Sequence, residues 1–203
     1  MASDPARRLI GTVNVVSQSE LLRAAVEMLE AADIPYMVVG SYASTFHGEP
    51  RMTRDIDVVI DPTEASIKLL IDLVDHDRFY VGDAEDAFHH RSMFNLIEPS
   101  TGWKVDFIVR GDRPFSEVEF ERRLPTQIAG VQVFIATAED TMLAKLEWGA
   151  ASKSDRQMND VVAIAANQQV DREYLAHWAN ELGIAPELER ALTLAEEFRE
   201  SEK

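Results

Sequence analysis

The chain has 203 residues, 46% apolar and 28% charged, which suits one ordinary core or a core with a small helical appendage and excludes wholesale disorder. Cysteine is absent, which excludes disulfides and thiolate metal sites and fits a cytoplasmic chain, and no apolar run approaches the length that crosses a bilayer. A formal charge of −16 repels a phosphate backbone, so the composition favours a small substrate, a protein target or a basic partner, although metal ions with a few well-placed Arg and Lys could still neutralise a nucleotide.

The first ten residues carry Arg7 and Arg8 with no continuous apolar stretch behind them, so a secretory signal is not expected. Ser17 and Glu20 have the spacing of a capping box, and Leu21, Leu22, Ala25, Val26 and Leu29 follow at helical spacing. This predicts a helix ending near Asp33, because Pro35 follows. Tyr36 to Val39 is a short apolar run closed by Gly40, the pattern of a buried strand, and Ser41 to His47 has room for one or two helical turns. Asp55 to Ile60 is rich in β-branched residues and stops at Asp61-Pro62, a strand. Thr63 can cap a helix that turns Ile67, Leu70, Leu73 and Val74 to the core.

Met93 to Ile97 and Trp103 to Val109 flank Pro99-Ser100-Thr101-Gly102, which predicts a hairpin with a four-residue turn. Pro114 to Arg123 reads as a helix, and Val131 to Ile135 as a strand behind a turn at Ala129-Gly130. From Thr137 onward helical periodicity dominates, through Met142, Leu143, Leu146, Val161, Val162, Ile164 and Ala165, then around Tyr174 to Leu182 and Leu188 to Phe198. There is no internal repeat or low-complexity tract. The expected fold is α/β (α+β): a small mixed β-sheet with helices packed on it over residues 1–136, and a C-terminal helical tail packed on or beside that core over residues 137–203.

The chemistry concentrates between Gly40 and Asp61. A strand sends alternate side chains to one face, so Asp55 and Asp57 point the same way while Ile56 and Val58 point to the core. Two adjacent carboxylates repel unless a cation lies between them, and Mg²⁺ favours one or two carboxylates with water and substrate phosphate filling its octahedron. Asp106 shares a face with Lys104 and Ile108, opposite Val105, Phe107 and Val109. If its strand neighbours that of Asp55, three carboxylates converge and could hold two metals about 4 Å apart. Upstream, Gly40 allows close backbone approach to a phosphate, and Ser41 offers its hydroxyl and N–H at a helix start, where the dipole favours an anion.

These residues resemble the DNA polymerase β-like nucleotidyltransferase superfamily, with its Gly-Ser helix start and Asp-x-Asp strand. Within it, Gly48, Arg51, Thr53, Asp55 and Asp57 are similar to the small bacterial group of minimal nucleotidyltransferases and AbiEii-type toxin enzymes. The resemblance covers roughly Val38 to Val109. It implies Mg²⁺, with Mn²⁺ as a substitute, at Asp55, Asp57 and Asp106, and triphosphate contacts from Gly40 and Ser41. More loosely, it reaches Ala138 through Ile164, where Lys145 would be a phosphate contact, Asp160 a polar site residue, and Ser154-Asp155-Arg156 and Asn159 part of a matching helical segment. The implied reaction transfers a nucleoside monophosphate from a nucleoside triphosphate such as ATP to a hydroxyl and releases pyrophosphate. The toxin member of a toxin–antitoxin pair, with a cognate antitoxin as partner, is within that expectation.

Plainer readings stand beside these. Asp55 and Asp57 could face solvent on an edge strand, and Asp106 could simply pair with Lys104. Arg51 and Arg54 could balance local acids or bind the substrate's anion, and Lys145 could be a solvated residue whose stem packs on Leu143 and Leu146. His47, His89 and His90 are expected at the surface or in loops, since adjacent His89 and His90 make poor joint ligands. Trp103, Trp148 and Trp178 are expected in the core or at an interface, and the acids from Glu196 to Glu202 on a solvated helix face. Two other functions use the same residues: a catalytically silent nucleotide-binding or regulatory partner on this fold, and a metal-dependent phosphohydrolase. The acceptor (small molecule, protein or tRNA) and the base of the nucleotide carry no signature in the sequence.

Overall fold

The alternation of Asp55–Ile60 resolves into the central strand of a seven-stranded mixed sheet. The structure is a computed structural model that describes residues 17–152 and 155–201. In chain order its elements are α1 (Gln18–Ala31), β1 (Tyr36–Val38), α2 (Gly40–His47), β2 (Asp55–Ile60), α3 (Glu64–Leu73), β3 (Tyr80–Val81), α4 (Ala84–His89) and β4 (Met93–Glu98). There follow β5 (Trp103–Val109), α5 (Pro114–Glu121), β6 (Leu124–Ile128), β7 (Val131–Ile135), α6 (Ala138–Ser152), α7 (Asp155–Asn167), α8 (Arg172–Glu181) and α9 (Ala185–Ser201). Ser154 and the first and last residues of the acidic and basic termini discussed above, Arg7, Arg8 and Glu202 among them, lie outside the described residues.

The strands lie in the order β3-β4-β5-β2-β1-β7-β6. Strands β2 and β5 run parallel, as do β1 and β7, and the remaining neighbours pair antiparallel. Period-two alternation divides the centre of the sheet. Ile56, Val58 and Ile60 of β2 and Val105, Phe107 and Val109 of β5 are buried on one face, against Leu21, Leu22, Ala25 and Leu29 of α1 and Ile67 and Leu70 of α3. The opposite face carries the acids and a small cluster in which Val59 meets Met37, Phe120 and Ala136, which seats α5 there. A further apolar cluster joins α6 through α9 and takes in Phe115 from α5, so the helical tail has its own core.

Local chemistry explains the element ends. The Ser17 and Glu20 capping box forms, with the Ser17 N–H donating to Glu20 Oε2 at 2.6 Å, and Thr63 caps α3 through Ser66. The four-residue turn Pro99–Gly102 closes around Glu98, whose buried carboxylate accepts from Ser100 Oγ at 2.8 Å and from the Thr101 N–H at 2.8 Å. Burial opposes that charge, but these hydrogen bonds hold Glu98 below the usual carboxylate range.

Three expectations are corrected. Leu73 ends α3 and is 40% exposed; Val74, one residue on, turns back into the core. His47 is not a surface residue: its Nε2 lies 2.8 Å from the Ala136 carbonyl, tying α2 to the end of β7, whereas His89 and His90 are exposed at the end of α4. Trp148 is 70% exposed, which leaves the interface half of its expectation open, and Trp103 and Trp178 are half-buried against the two main clusters. The helix from Pro114 also stops at Glu121, since Leu124 begins a strand. No helix among the described residues is long and apolar enough to cross a membrane.

Candidate active site

Register brings the acids together. Across the parallel β2–β5 pair, Asp57 stands opposite Asp106 and Asp55 opposite Lys104. Asp106 is only 6% exposed and is held from two sides: Asn95 Nδ2 donates to Oδ1 at 2.5 Å, and Lys104 Nζ lies 2.7 Å from Oδ2. The same ammonium reaches Asp55 Oδ2 at 3.7 Å, so Lys104 spans two of the three carboxylates. Its hydrogen bond to Asp106 outweighs partial burial and raises its pKa, with help from the charges of Asp106, Asp55 and Asp57. Asp57 is shifted upward, first by burial and then by Asp106, against the Ser41 N–H that donates to it.

Gly40 is required where it stands. Its φ of +60° favours glycine, and a Cβ there would come within 2.1 Å of Asp57 Oδ2. The start of α2 is thereby pressed against the Asp57 carboxylate, with Ser41 just above it. Gly48, at the other end of α2, meets the backbone of α7: a Cβ would lie 3.0 Å from the Ile164 nitrogen. Two glycines therefore fix this short helix between the acids and the helical tail.

A second group of charges lies beside Ser41. Arg51 makes a two-point ion pair with Asp160, Nε to Oδ1 at 3.1 Å and Nη2 to Oδ2 at 3.0 Å, and its Nη2 also donates to Ser41 Oγ at 2.5 Å. Lys145, 6% exposed, donates to Asp160 Oδ2 at 2.8 Å and to Gln157 Oε1 at 2.9 Å. Ser44 Oγ completes the shell of Asp160 at 3.2 Å. Burial lowers the Lys145 pKa despite Asp160, and the two cations hold Asp160 below the usual range although burial works the other way. The solvated reading of Lys145 is thus corrected: its ammonium is buried in an ion-pair network. Arg54 is exposed and makes no hydrogen bond or ion pair with a described residue, so the structure does not bring it to the acids.

Next to the acids lies a cavity of about 590 Å³. Asp57, Asp106, Ser41 and Lys145 line it, together with Glu119 of α5 and Trp148 of α6. Asp55, Arg51 and Arg54 do not. As the side chains stand, no three acidic or histidine residues among those described form a cluster that would hold a metal ion; Lys104 takes part of that space. What the arrangement offers is a carboxylate pair in register, a helix start at Gly40 and Ser41 that opens on the cavity, and a buried cation facing the same cavity. Such a set can neutralise and orient a polyphosphate beside a hydroxyl.

Sequence reasoning missed Asn95, Gln157, Ser44 and Glu119. Asn95 was within reach: a hairpin closing at Glu98 and Trp103 puts Asn95 opposite Asp106. The other three depend on how α5 and α7 pack, for which spacing carries no signal.

A family model described as nucleotidyltransferase of unknown function (DUF6036) matches residues 18–200. Among solved structures, the antigenic nucleotidyltransferase-like protein of Paracoccidioides brasiliensis superposes with a TM-score of 0.55 at 19% identity, over 86% of this chain and 91% of that one. JHP933 from Helicobacter pylori gives 0.47 at 17% identity, covering 91% and 93% of the two chains. The antibiotic-resistance factor ANT(2'')-Ia gives 0.49 at 13% identity, covering 91% and 92%. At 19% identity the first of these likenesses shows the fold alone. No curated protein matches the chain.

Proposed function

The chain belongs to the DUF6036 family of nucleotidyltransferases of unknown function, and from that premise we propose that it transfers a nucleoside monophosphate from a nucleoside triphosphate to a hydroxyl acceptor, releasing pyrophosphate. The observation that carries this reading is the in-register pair of Asp57 and Asp106, set against a Gly40 that leaves no room for a Cβ.

The donor set fits a divalent cation. Burial and the nearby Asp106 both disfavour the charged form of Asp57, a cost that a hard cation would remove. Asp55, Asp57 and Asp106 would hold Mg²⁺, with Mn²⁺ able to take its place. When bound, it supplies positive charge to the triphosphate and to the leaving pyrophosphate. Gly40 and Ser41 receive the β and γ phosphates at the start of α2, and Lys145, in the cavity wall, adds a buried positive charge. Arg51 acts from behind, fixing Ser41 and Asp160, and Arg54, exposed and away from the cavity, would touch an anion only as it arrives from solvent. Asp106 accepts the acceptor's proton as the oxygen–phosphorus bond forms at the α phosphorus and the bond to pyrophosphate breaks.

The charge of −16 favours a small molecule or a protein over tRNA as acceptor, and it would equally suit a basic cognate antitoxin as partner in the cytoplasm. The test is incubation with each α-labelled nucleoside triphosphate, Mg²⁺ and a cell lysate as acceptor source, for the native protein and Asp57→Asn. Pyrophosphate release and label transfer by the native protein alone support the reading. Inorganic phosphate as the product selects a phosphohydrolase, and nucleotide binding with neither product selects a silent binding protein.

A further inference from the structure

The two faces of α6 meet different surroundings. Met142, Leu143 and Leu146 turn into the apolar cluster of the helical tail. Thr141, Ala144, Lys145 and Trp148, at i, i+3, i+4 and i+7, form a stripe on the opposite side and line the cavity that holds Asp57 and Asp106. The stripe changes character along its length. Small Thr141 and Ala144 come first, then the buried ammonium of Lys145, then the indole of Trp148, 70% exposed.

An exposed apolar residue means little by itself, since much of any protein surface is apolar. Position gives this one its meaning. Residues three apart on a helix are neighbours, about 5–6 Å between Cβ atoms, so the indole stands next to the Lys145 ammonium on one wall of one cavity. Val59 and Ile108 add apolar lining to the same space. The turn that carries Trp148 is braced from both sides. Lys145 donates to Asp160 at 2.8 Å and to Gln157 at 2.9 Å. Arg113 donates to both oxygens of Glu147, at 2.5 and 2.6 Å, which holds α6 against the start of α5. An indole on a braced helix presents its ring at little cost in conformational entropy, which suits it to a planar ligand. Charge and shape along the stripe thus run from a site for an anion to a site for a flat ring. A nucleotide has its groups in that order, whereas the acceptor has to reach Asp106, which stands on β5 and not on α6.

We infer that Trp148 is the platform for the nucleobase: the base stacks on the indole while the triphosphate lies between Lys145 and Ser41. This rests on the nucleotidyltransferase reading above. Every base has a π face, so the platform accepts all four, and the larger ring system of a purine stacks more strongly than that of a pyrimidine. The site therefore favours ATP and GTP over CTP and UTP. Stacking alone does not separate adenine from guanine.

The experiment is calorimetric titration with Mg²⁺ present, using a nonhydrolysable analogue of each of the four nucleoside triphosphates and inorganic tripolyphosphate, on the native protein, Trp148→Phe and Trp148→Ala. In the native protein the purine analogues should bind more tightly than the pyrimidine ones. Trp148→Ala should lose about 5- to 150-fold in affinity for the purine analogues and flatten that ranking, and Trp148→Phe should recover most of the loss. Tripolyphosphate should bind all three proteins alike, which shows that the variants keep the fold and the phosphate end. Nucleotide affinities left unchanged in Trp148→Ala overturn the inference and leave the nucleotidyltransferase reading standing; the indole would then serve the acceptor or a partner protein. An equal loss of tripolyphosphate and nucleotide binding in Trp148→Ala also overturns it, because the substitution would then act on the phosphate end and not on the base. Failure of the native protein to bind any analogue or tripolyphosphate removes the parent reading and the platform with it.

Discussion

Arg51 and Asp160 stand 109 positions apart in the chain and meet in a two-point ion pair, at 3.1 and 3.0 Å, that clamps the loop after α2 to α7. Asp160 also carries Lys145, so one carboxylate balances two cations of which one is almost fully buried. Removing its charge leaves Lys145 and Arg51 facing each other with no counter-ion, and breaking a buried pair from one side is costly. Because Arg51 remains partly exposed, we expect Asp160→Asn to destabilise the fold by about 2–4 kcal/mol, less than a fully buried pair would give. Thermal denaturation should register this as a fall of roughly 5–15 °C. A shift within a degree or two would mean that water already screens the three charges.

Asp57 predicts the opposite sign. Its pKa is raised by burial and by Asp106, so in the folded state its charge is a liability that the unfolded chain does not share. Asp57→Asn should therefore raise the melting temperature at pH 7 without divalent ions, by about 1 kcal/mol or a few degrees, and abolish transfer. The gain must fade as pH falls toward the ordinary aspartate range, where the native side chain is protonated in both states. Added Mg²⁺ should stabilise the native protein and leave the variant unmoved. If Mg²⁺ raises both melting temperatures equally, the ion binds elsewhere.

Gly40→Ala tests the contact between α2 and β2. The positive φ alone costs an alanine about 1–2 kcal/mol, and the new methyl would fall 2.1 Å from Asp57 Oδ2. Asp57 must turn away or α2 must shift, and misplacement on this scale costs about 100-fold in turnover. Steady-state kinetics should show the loss mainly in kcat, with a modest fall in melting temperature. Wild-type turnover in this variant would show that the Asp57 rotamer in contact with Gly40 is not the working one.

Much of this was legible in the sequence, and the boundary is physical. Alternation named the Asp55–Ile60 strand and the face that carries its acids, and the Pro99–Gly102 turn fixed the hairpin that delivers Asp106. Both sheet edges escaped. The two-residue β3 has an exposed Tyr80, and β6 carries Pro125 and exposed Leu124, so neither shows the apolar alternation of an inner strand. The adjacency of β2 and β5 was only conditional, because strand order depends on how helices cross over and not on local pattern. Lys104 illustrates the difference. Sequence places it on the acidic face, as one plain reading of Asp106 supposed, but only the parallel register sets it across from Asp55 as well.

Glu119 gives a pH dependence. It lines the cavity from α5, where burial pushes its carboxyl up to about 8, reinforced by Asp140 and Glu147 and opposed by Arg113. In the unfolded chain it would titrate near its ordinary value of 4.5. Between those limits the folded protein holds a proton that the unfolded chain has lost, so the stability that Glu119 contributes is fully present below about 4.5, declines as pH rises and is spent above about 8. Glu119→Gln keeps the shape and cannot ionise. Its advantage over the native protein should be small at pH 5 and grow to about 1–3 kcal/mol at pH 8.5. Melting curves of the two proteins across that range supply the difference, from which other titrating groups cancel. Parallel curves would mean that Glu119 is ionised and hydrated in the cavity at neutral pH, and a charged carboxylate would then face any base or acceptor that enters.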